Sequence, residues 1–301
     1  MYKFKERFLE HYSKITSIDE FCEYCTRPLN KSIRVNTLKI SIAKLKARLK
    51  DYEFKQVPWC KEGFWIKGPR TDLGNLLEHS LGYFYIQEAA SMIPPIVLDP
   101  KEDDLVLDLA AAPGSKTTQM ACLMKNKGLL IANDVKYDRL KALSINLQRL
   151  GILNTIVTLK SNYGFKDIKF DKILLDAPCS GSGAIRKSLK TLDMWNPNML
   201  INLSGTQKKL ILNAFDNLKD NGTLVYSTCS IDPEENEAVI DFLLKNRNAK
   251  LEKIDLDIKS SPVILDYDKR HFNDEIKKCL RIWPQDNDTE GFFVAKIKKI
   301  N

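Results

Sequence analysis

Leu105-Val-Leu-Asp-Leu-Ala-Ala-Ala-Pro-Gly-Ser-Lys-Thr-Thr118 decides the fold of this chain. It opens as a short continuous apolar run, breaks at a turn of small residues and continues with helical composition. An apolar run of this length, bounded by turn residues, predicts a strand buried on both faces. Small residues at the turn let backbone N–H groups and a helix N-terminus come close to a ligand. Several nucleotide-type sites share such a turn. A phosphate-binding P-loop is not among them here, because it requires glycine directly before lysine and Ser115 separates Gly114 from Lys116.

Downstream of this stretch, similar runs recur between helical segments: GLLIANDV (128–135), TIVTLKS (155–161), DKILLDAP (171–178) and GTLVYSTCS (222–230). The alternation predicts a doubly wound, mostly parallel, Rossmann-like α/β sheet. Tyr137 to Leu150 carries Leu140, Leu143, Leu147 and Leu150 at helical spacing and ends at Gly151. Asp232-Pro-Glu-Glu235 has the form of a helix start, with Asp232 as N-cap and Glu235 placed for a capping box. Gly291 to Lys298 predicts a last strand at the antiparallel edge. Upstream, short helices, SIRVNTLK (32–39), a helix from Ser41 to about Lys50 and two strand-like runs predict a small α+β domain. The expected division is 1–98 and 99–301.

With 301 residues, 44% hydrophobic and 29% charged, the chain has the apolar content for a sizeable core. No run approaches the ~18 apolar residues of a membrane span, so the expectation is a soluble, cytoplasmic protein. Seven dispersed cysteines fit free thiols in a reducing compartment better than a disulfide framework. Cys22-Glu-Tyr-Cys25 has zinc-like spacing but no partner pair, and no metal is expected. Within a net charge of +8, the segment from Arg27 to Arg70 alone carries +9. Phe54, Trp59, Phe64 and Trp65 lie in it, so it offers cations for phosphates and rings for bases. The competing reading is a lysine-rich surface over an ordinary core.

Asp134 ends the second sheet strand twenty residues beyond Gly114, where a carboxylate accepts hydrogen bonds from ribose hydroxyls. NAD and S-adenosylmethionine both carry that ribose. A dehydrogenase calls for a proton-handling histidine, and His11, His79 and His271 lie in no motif. The later strands deliver Asp176-Ala-Pro-Cys179 and Thr228-Cys229-Ser230 instead, at the sheet edge where such folds place their chemistry.

Taken in order, Arg34-Val-Asn-Thr-Leu38, Gln87-Glu-Ala-Ala-Ser91, Ala111-Ala-Pro-Gly-Ser-Lys116, Asp176-Ala-Pro-Cys-Ser-Gly181, Ser227-Thr-Cys-Ser230 with Pro233-Glu-Glu-Asn-Glu237, and Arg281-Ile-Trp-Pro284 before Gly291-Phe-Phe293 run through most of the chain. In these the sequence resembles the RNA cytosine-5 methyltransferases of the Sun/Fmu type. The resemblance implies a class I methyltransferase domain with a seven-stranded sheet, an RNA-contacting N-terminal domain, and S-adenosylmethionine as cofactor. It implies Cys229 as nucleophile, Cys179 as the thiol for product release, and Asp176 at the cytosine edge with Lys116 beside it. Ala110, Ala111, Ala112, Pro113, Gly114, Ser115, Lys116, Asp134, Arg139, Asn162 and Asp176 are its cofactor-site candidates. Ala110 stands for a frequent Cys, Ser115 for a frequent Gly, and Asn162 for an Asp whose acceptor role an amide oxygen can fill. Arg34, Lys44, Lys46, Arg48 and Lys50 are the RNA-binding candidates. Transfer RNA is the preferred substrate and ribosomal RNA the alternative, acted on by a monomer. A catalytically silent RNA-binding scaffold and a DNA or small-molecule methyltransferase are the readings of other classes.

The chemistry has its own logic. Carbon 5 of cytosine is too weak a nucleophile to attack a sulfonium methyl, but a thiolate adding to carbon 6 converts the ring to an enamine that can. Charge developing on the ring calls for a proton or hydrogen bond at N3, which a carboxyl supplies. A thiol just before a helix N-terminus is also favoured as thiolate.

Overall fold

The computed structural model describes residues 4–161, 165 and 167–300. Two short helices come first, α1 (Glu6–Tyr12) and α2 (Ile18–Thr26). Their apolar faces turn away from the residues that follow in sequence: Phe8, Tyr12, Phe21 and Cys25 bury against Ile185, Trp195, Ile231 and Trp283. A small antiparallel sheet follows, made of β1 (Ser32–Val35), β2 (Glu53–Gln56), β3 (Gly63–Lys67) and β4 (Phe84–Ile86) in the order β2-β3-β1-β4. Between its strands lie α3 (Ile42–Arg48), capped by Ser41 Oγ accepting from the Lys44 amide at 3.3 Å, and α4 (Leu77–Ser80). Leu45, Leu49, Ile33, Phe64 and Phe84 form the core beneath this sheet.

The strand-turn-helix alternation then sets in: α5 (Ile93–Leu98), β5 (Leu105–Asp108), α6 (Ser115–Leu123), β6 (Leu129–Asn133), α7 (Tyr137–Leu150), β7 (Thr155–Thr158) and β8 (Phe170–Asp176). It continues through α8 (Lys190–Met194), α9 (Pro197–Asp216), β9 (Leu218–Thr228), α10 (Glu237–Asn246) and β10 (Ala249–Glu252). A hairpin of β11 (Asp266–Tyr267) and β12 (Arg270–His271), then β13 (Leu280–Ile282), α11 (Pro284–Asn287) and β14 (Phe292–Lys299), complete the chain. The main sheet runs β10-β14-β9-β8-β5-β6-β7, with β13 paired to β14. β5 to β9 are mutually parallel, and β14 is antiparallel to both neighbours. The expected mostly parallel sheet is present, its path of seven strands joined by β13 as an eighth. α7 buries Leu140, Leu143, Leu147 and Leu150, and Gly151 ends it at φ +72°, the left-handed region glycine enters without a Cβ clash.

Two local expectations change. The last strand is not the edge: β13 pairs along Phe292–Val294 and β10 along Lys296–Lys299, so the apolar run of Phe292, Phe293, Val294 and Ala295 is buried. Asp232 is not a helix cap. α10 begins at Glu237, because the Asp232 carboxylate is taken by tertiary donors, Tyr12 Oη at 3.0 Å and Ser182 Oγ at 2.5 Å. α5 lies between the two sheets, Ile93, Val97 and Leu98 sharing a core with Val57, Trp59 and Cys60 on one side and Val106, Leu130, Leu174 and Val225 on the other. No helix among the described residues is long and apolar enough to cross a membrane.

Candidate active site

At the carboxyl end of β5 the chain turns through Ala110, Ala111, Ala112 and Pro113 into α6. Gly114 makes that turn at φ +104°, and a Cβ there would meet Leu143 Cδ1 at 2.8 Å. Neighbouring elements hold the turn open: Asn133 O accepts from the Ala111 amide at 2.7 Å, Asn146 donates to Pro113 O at 2.9 Å, and Arg139 donates to Ala112 O. Ser115 starts α6, and the first amides of a helix have no acceptor within it. Beyond β6, Asp134 is buried and accepts from the Lys136 amide through Oδ1 at 3.0 Å. Its Oδ2 lies 3.2 Å from Arg139 Nη1 yet accepts no hydrogen bond. A buried carboxylate oxygen without a donor fits a ribose hydroxyl, and the small-residue turn fits the close approach of a nucleoside-bearing cofactor. Asn162 lies outside the described residues.

The reactive groups stand at the next two strand ends. β8 and β9 are parallel with Asp176 in register with Ser227, so residues beyond these positions emerge side by side. Cys179 and Cys229 meet there, Sγ to Sγ 3.3 Å. Asp176 Oδ2 accepts from Lys116 Nζ at 2.7 Å and its Oδ1 from Ser227 Oγ at 2.8 Å. Lys116, buried, also donates to Ser91 Oγ at 3.1 Å and lies over the Phe292 ring. Burial opposes its charge, but Asp176, Cys229 and Asp108 outweigh that and raise its proton affinity. The hydrogen bond its S–H gives to Cys229, then burial and the charges of Cys229, Glu235 and Asp176, push the Cys179 thiol well above the ordinary range.

A buried polar scaffold fixes both cysteine loops. Glu235 accepts from the Ser180 amide at 3.0 Å and from Gln207 at 2.8 Å, while Asp232 gathers Tyr12, Ser182, Ser230 and His11. Arg281 pairs with Glu237 in the interior and donates to Ile231 O at 2.7 Å, two residues past Cys229. His11, Asp232 and Glu234 lie within 4.8 Å of one another, but the Asp232 oxygens are already used by hydrogen-bond donors. Cys22 and Cys25 gather no third metal-type ligand among the described residues, and Cys25 is buried among aromatic rings.

The RNA-binding candidates divide. Arg34 is not at the surface: its guanidinium is buried between the small sheet and α6, donating to Gln87 Oε1 at 2.8 Å and Thr118 Oγ1 at 2.9 Å. Lys44, Lys46 and Lys50 are exposed, Lys46 over the Phe64 ring, and Arg48 pairs with Glu78 at 3.1 Å. Trp59 and Phe64 are core residues, while Trp65 is half-exposed. Sequence reasoning missed Asp108, whose Oδ2 accepts from Thr117 at 2.6 Å and whose carboxyl burial raises to about 7. Its position at the end of the first apolar run was the available signal. Ser91 and Ser227 lay inside recognised motifs without a role.

The family model for the 16S rRNA methyltransferases RsmB/F matches residues 95–298, and that for the N-terminal domain of the 16S rRNA methyltransferase RsmF matches residues 3–89. The tRNA (cytosine(49)-C(5))-methyltransferase of Pyrococcus abyssi is 50% identical, the match covering 99% of this chain and 97% of that enzyme. The ribosomal RNA small subunit methyltransferase F of Vibrio atlanticus is 44% identical over 98% of this chain, which spans 64% of that longer protein. Among solved structures, a methyltransferase homolog from Pyrococcus horikoshii superposes with TM-score 0.89 at 40% identity, covering 99% of this chain and 96% of that one. NSun6 from the same organism, solved with SFG, gives 0.86 at 28%, with 99% of each chain covered. The chain belongs to the RsmB/F family of S-adenosylmethionine-dependent RNA cytosine-5 methyltransferases.

Proposed function

We propose that this enzyme methylates carbon 5 of a cytosine in transfer RNA, with Cys229 adding to carbon 6 and Cys179 serving product release. The observation that carries the reading is the 3.3 Å sulfur pair beside the Lys116–Asp176 ion pair. Cys229 forms the S–C6 bond as a proton passes from the Lys116–Asp176 pair, held by Ser227, to N3 of the ring, and that proton returns when the adduct breaks down. The cofactor supplies the methyl electrophile that C5 attacks. H5 must then leave as a proton, its electron pair forming C5=C6 and expelling the Cys229 sulfur.

The coupling between the thiols times this last step. Cys179 resists ionisation largely because its S–H donates to Cys229 and because the charge of Cys229 opposes its own. Once Cys229 is a thioether on C6, both effects vanish, and Cys179 ionises more readily at the stage that needs a base. Asp134 and the Ala110–Lys116 turn hold the cofactor, with Arg139 bracing both. Lys44, Lys46 and Lys50 contribute phosphate contacts from the N-terminal domain.

Transfer RNA is favoured over ribosomal RNA because the relative acting on transfer RNA matches this chain almost end to end, whereas the ribosomal RNA enzyme is longer. We place the enzyme in the cytoplasm as a monomer. Incubating it with labelled cofactor and either transfer RNA or 16S RNA transcripts, then mapping 5-methylcytosine, tests the reading. Methylation confined to 16S RNA would transfer the assignment, and none in either would end it.

A further inference from the structure

Beside the thiols lies a second cavity of about 510 Å³, lined among others by Lys31, Gln87, Glu88, Lys187 and Glu290. Cys179, Cys229, Asp176 and Lys116 do not line it, so it is separate from the reacting centre. It is nonetheless close: the Gly291 amide donates to Gly183 O at 2.9 Å, and the Gly183 amide to Cys229 O at 2.9 Å. Ser91 ties the other wall to the site, receiving Lys116 through Oγ and donating its amide to Glu88 Oε2 at 3.1 Å.

Three carboxyls line this cavity, of which Asp72 is exposed and paired with Arg70 at 2.7 Å, while Glu88 and Glu290 lie deeper. Both Glu88 oxygens are engaged, Oε2 by Ser91 and Oε1 by the Glu290 amide at 3.3 Å. Glu290 differs. It is 4% exposed, and among the described residues no donor reaches its Oε1. A buried carboxylate oxygen without a donor is costly unless a ligand supplies one. At the rim Lys31 and Lys187 are exposed, in keeping with a passing phosphate backbone.

Resting on the reading of Cys229 as the nucleophile toward an RNA cytosine, we propose that Glu290 reads the Watson–Crick edge of a nucleotide flanking the target and selects guanine. When the target base turns into the thiol pocket, its neighbour is left at the adjoining cavity. A carboxylate offers two acceptors side by side. Guanine alone answers with two adjacent donors, N1–H and the N2 amino group; adenine and cytosine pair one donor with a ring acceptor, and uracil sets its N–H between two carbonyls. Burial raises the Glu290 carboxyl against the pull of Lys187, Lys116 and Arg186, and two donors from a base would restore its charged form.

The test uses transfer RNA transcripts methylated by the wild-type enzyme, with guanine, adenine or inosine placed on either side of the target. On one side kcat/KM falls about tenfold to hundredfold from guanine to adenine, with inosine, which lacks the N2 amino group, between them. E290Q presents one acceptor and one donor, matching adenine, and reverses that preference while still methylating the adenine substrate. Wild-type indifference to both flanking bases, or an equal loss on every substrate in E290Q, overturns the proposal while leaving the functional reading intact. Absence of 5-methylcytosine in every RNA with the wild type overturns the functional reading and this one with it.

Discussion

Cys179 and Cys229, fifty residues apart in sequence, face each other with 3.3 Å between their sulfurs because β8 and β9 are parallel neighbours in register at Asp176 and Ser227. One cytosine ring can therefore meet both thiols without moving.

The first prediction follows from that proximity. Cys229→Ala forms no complex with RNA that survives denaturing electrophoresis, whereas Cys179→Ala accumulates one, since addition proceeds and elimination stalls. Exchanged behaviour would reverse the two assignments.

Asp176, paired with Lys116, is placed to relay a proton to the ring, not to bond to carbon. Asp176→Asn keeps the fold, since the amide oxygen still accepts from Lys116 while its NH2 donates to Ser227 Oγ, and lowers kcat about 10²–10⁴-fold. A rate within a factor of three of wild type would remove it from the chemistry.

Asp108 gives a pH test of stability. Folded, it holds its proton to about pH 7; unfolded, it releases it near 3.8. The folded state thus binds more protons between these values, and its contribution to stability declines as pH rises through that window. Asp108→Asn does not titrate, so the urea midpoint of the variant gains on wild type from pH 4 to pH 7, by about 2–4 kcal/mol in free energy. Parallel curves would show that the carboxyl ionises normally.

Arg34 and the α3 lysines are distinguished by salt. Arg34→Ala loses about 2 kcal/mol or more of stability, because it leaves Gln87 Oε1 buried without its donor, while the salt dependence of RNA binding is unchanged. Replacing Lys44, Lys46 and Lys50 together leaves stability within about 1 kcal/mol and flattens the slope of log affinity against log salt. Equal effects on that slope would return Arg34 to the RNA surface.

Arg281 and Glu237 form an ion pair with both side chains buried. Arg281→Met leaves the carboxylate uncompensated and costs about 3–5 kcal/mol in denaturant unfolding, and a second change, Glu237→Met, recovers part of it. If the double variant is no more stable than the single one, the pair is not the source of the loss.

The sequence by itself determined the alternation of strand and helix, the small-residue turn before Lys116, and the arrival of Cys179 and Cys229 at strand ends. These are properties of backbone periodicity and turn chemistry, which a few neighbouring residues encode. Only the tertiary structure decided which side chains those ends would meet. Arg34 reads as a surface cation in a basic segment, yet α6 closes over it; Asp232 reads as a helix cap, yet Tyr12 from the first helix claims its carboxylate. Glu88 and Glu290 share one cavity across 202 residues of chain, and β14 gains its interior place because β13 and β10 pair in turn along its outer side. A polar group's role depends on burial and on the donors and acceptors brought to it, and those come from distant segments whose packing local patterns do not specify.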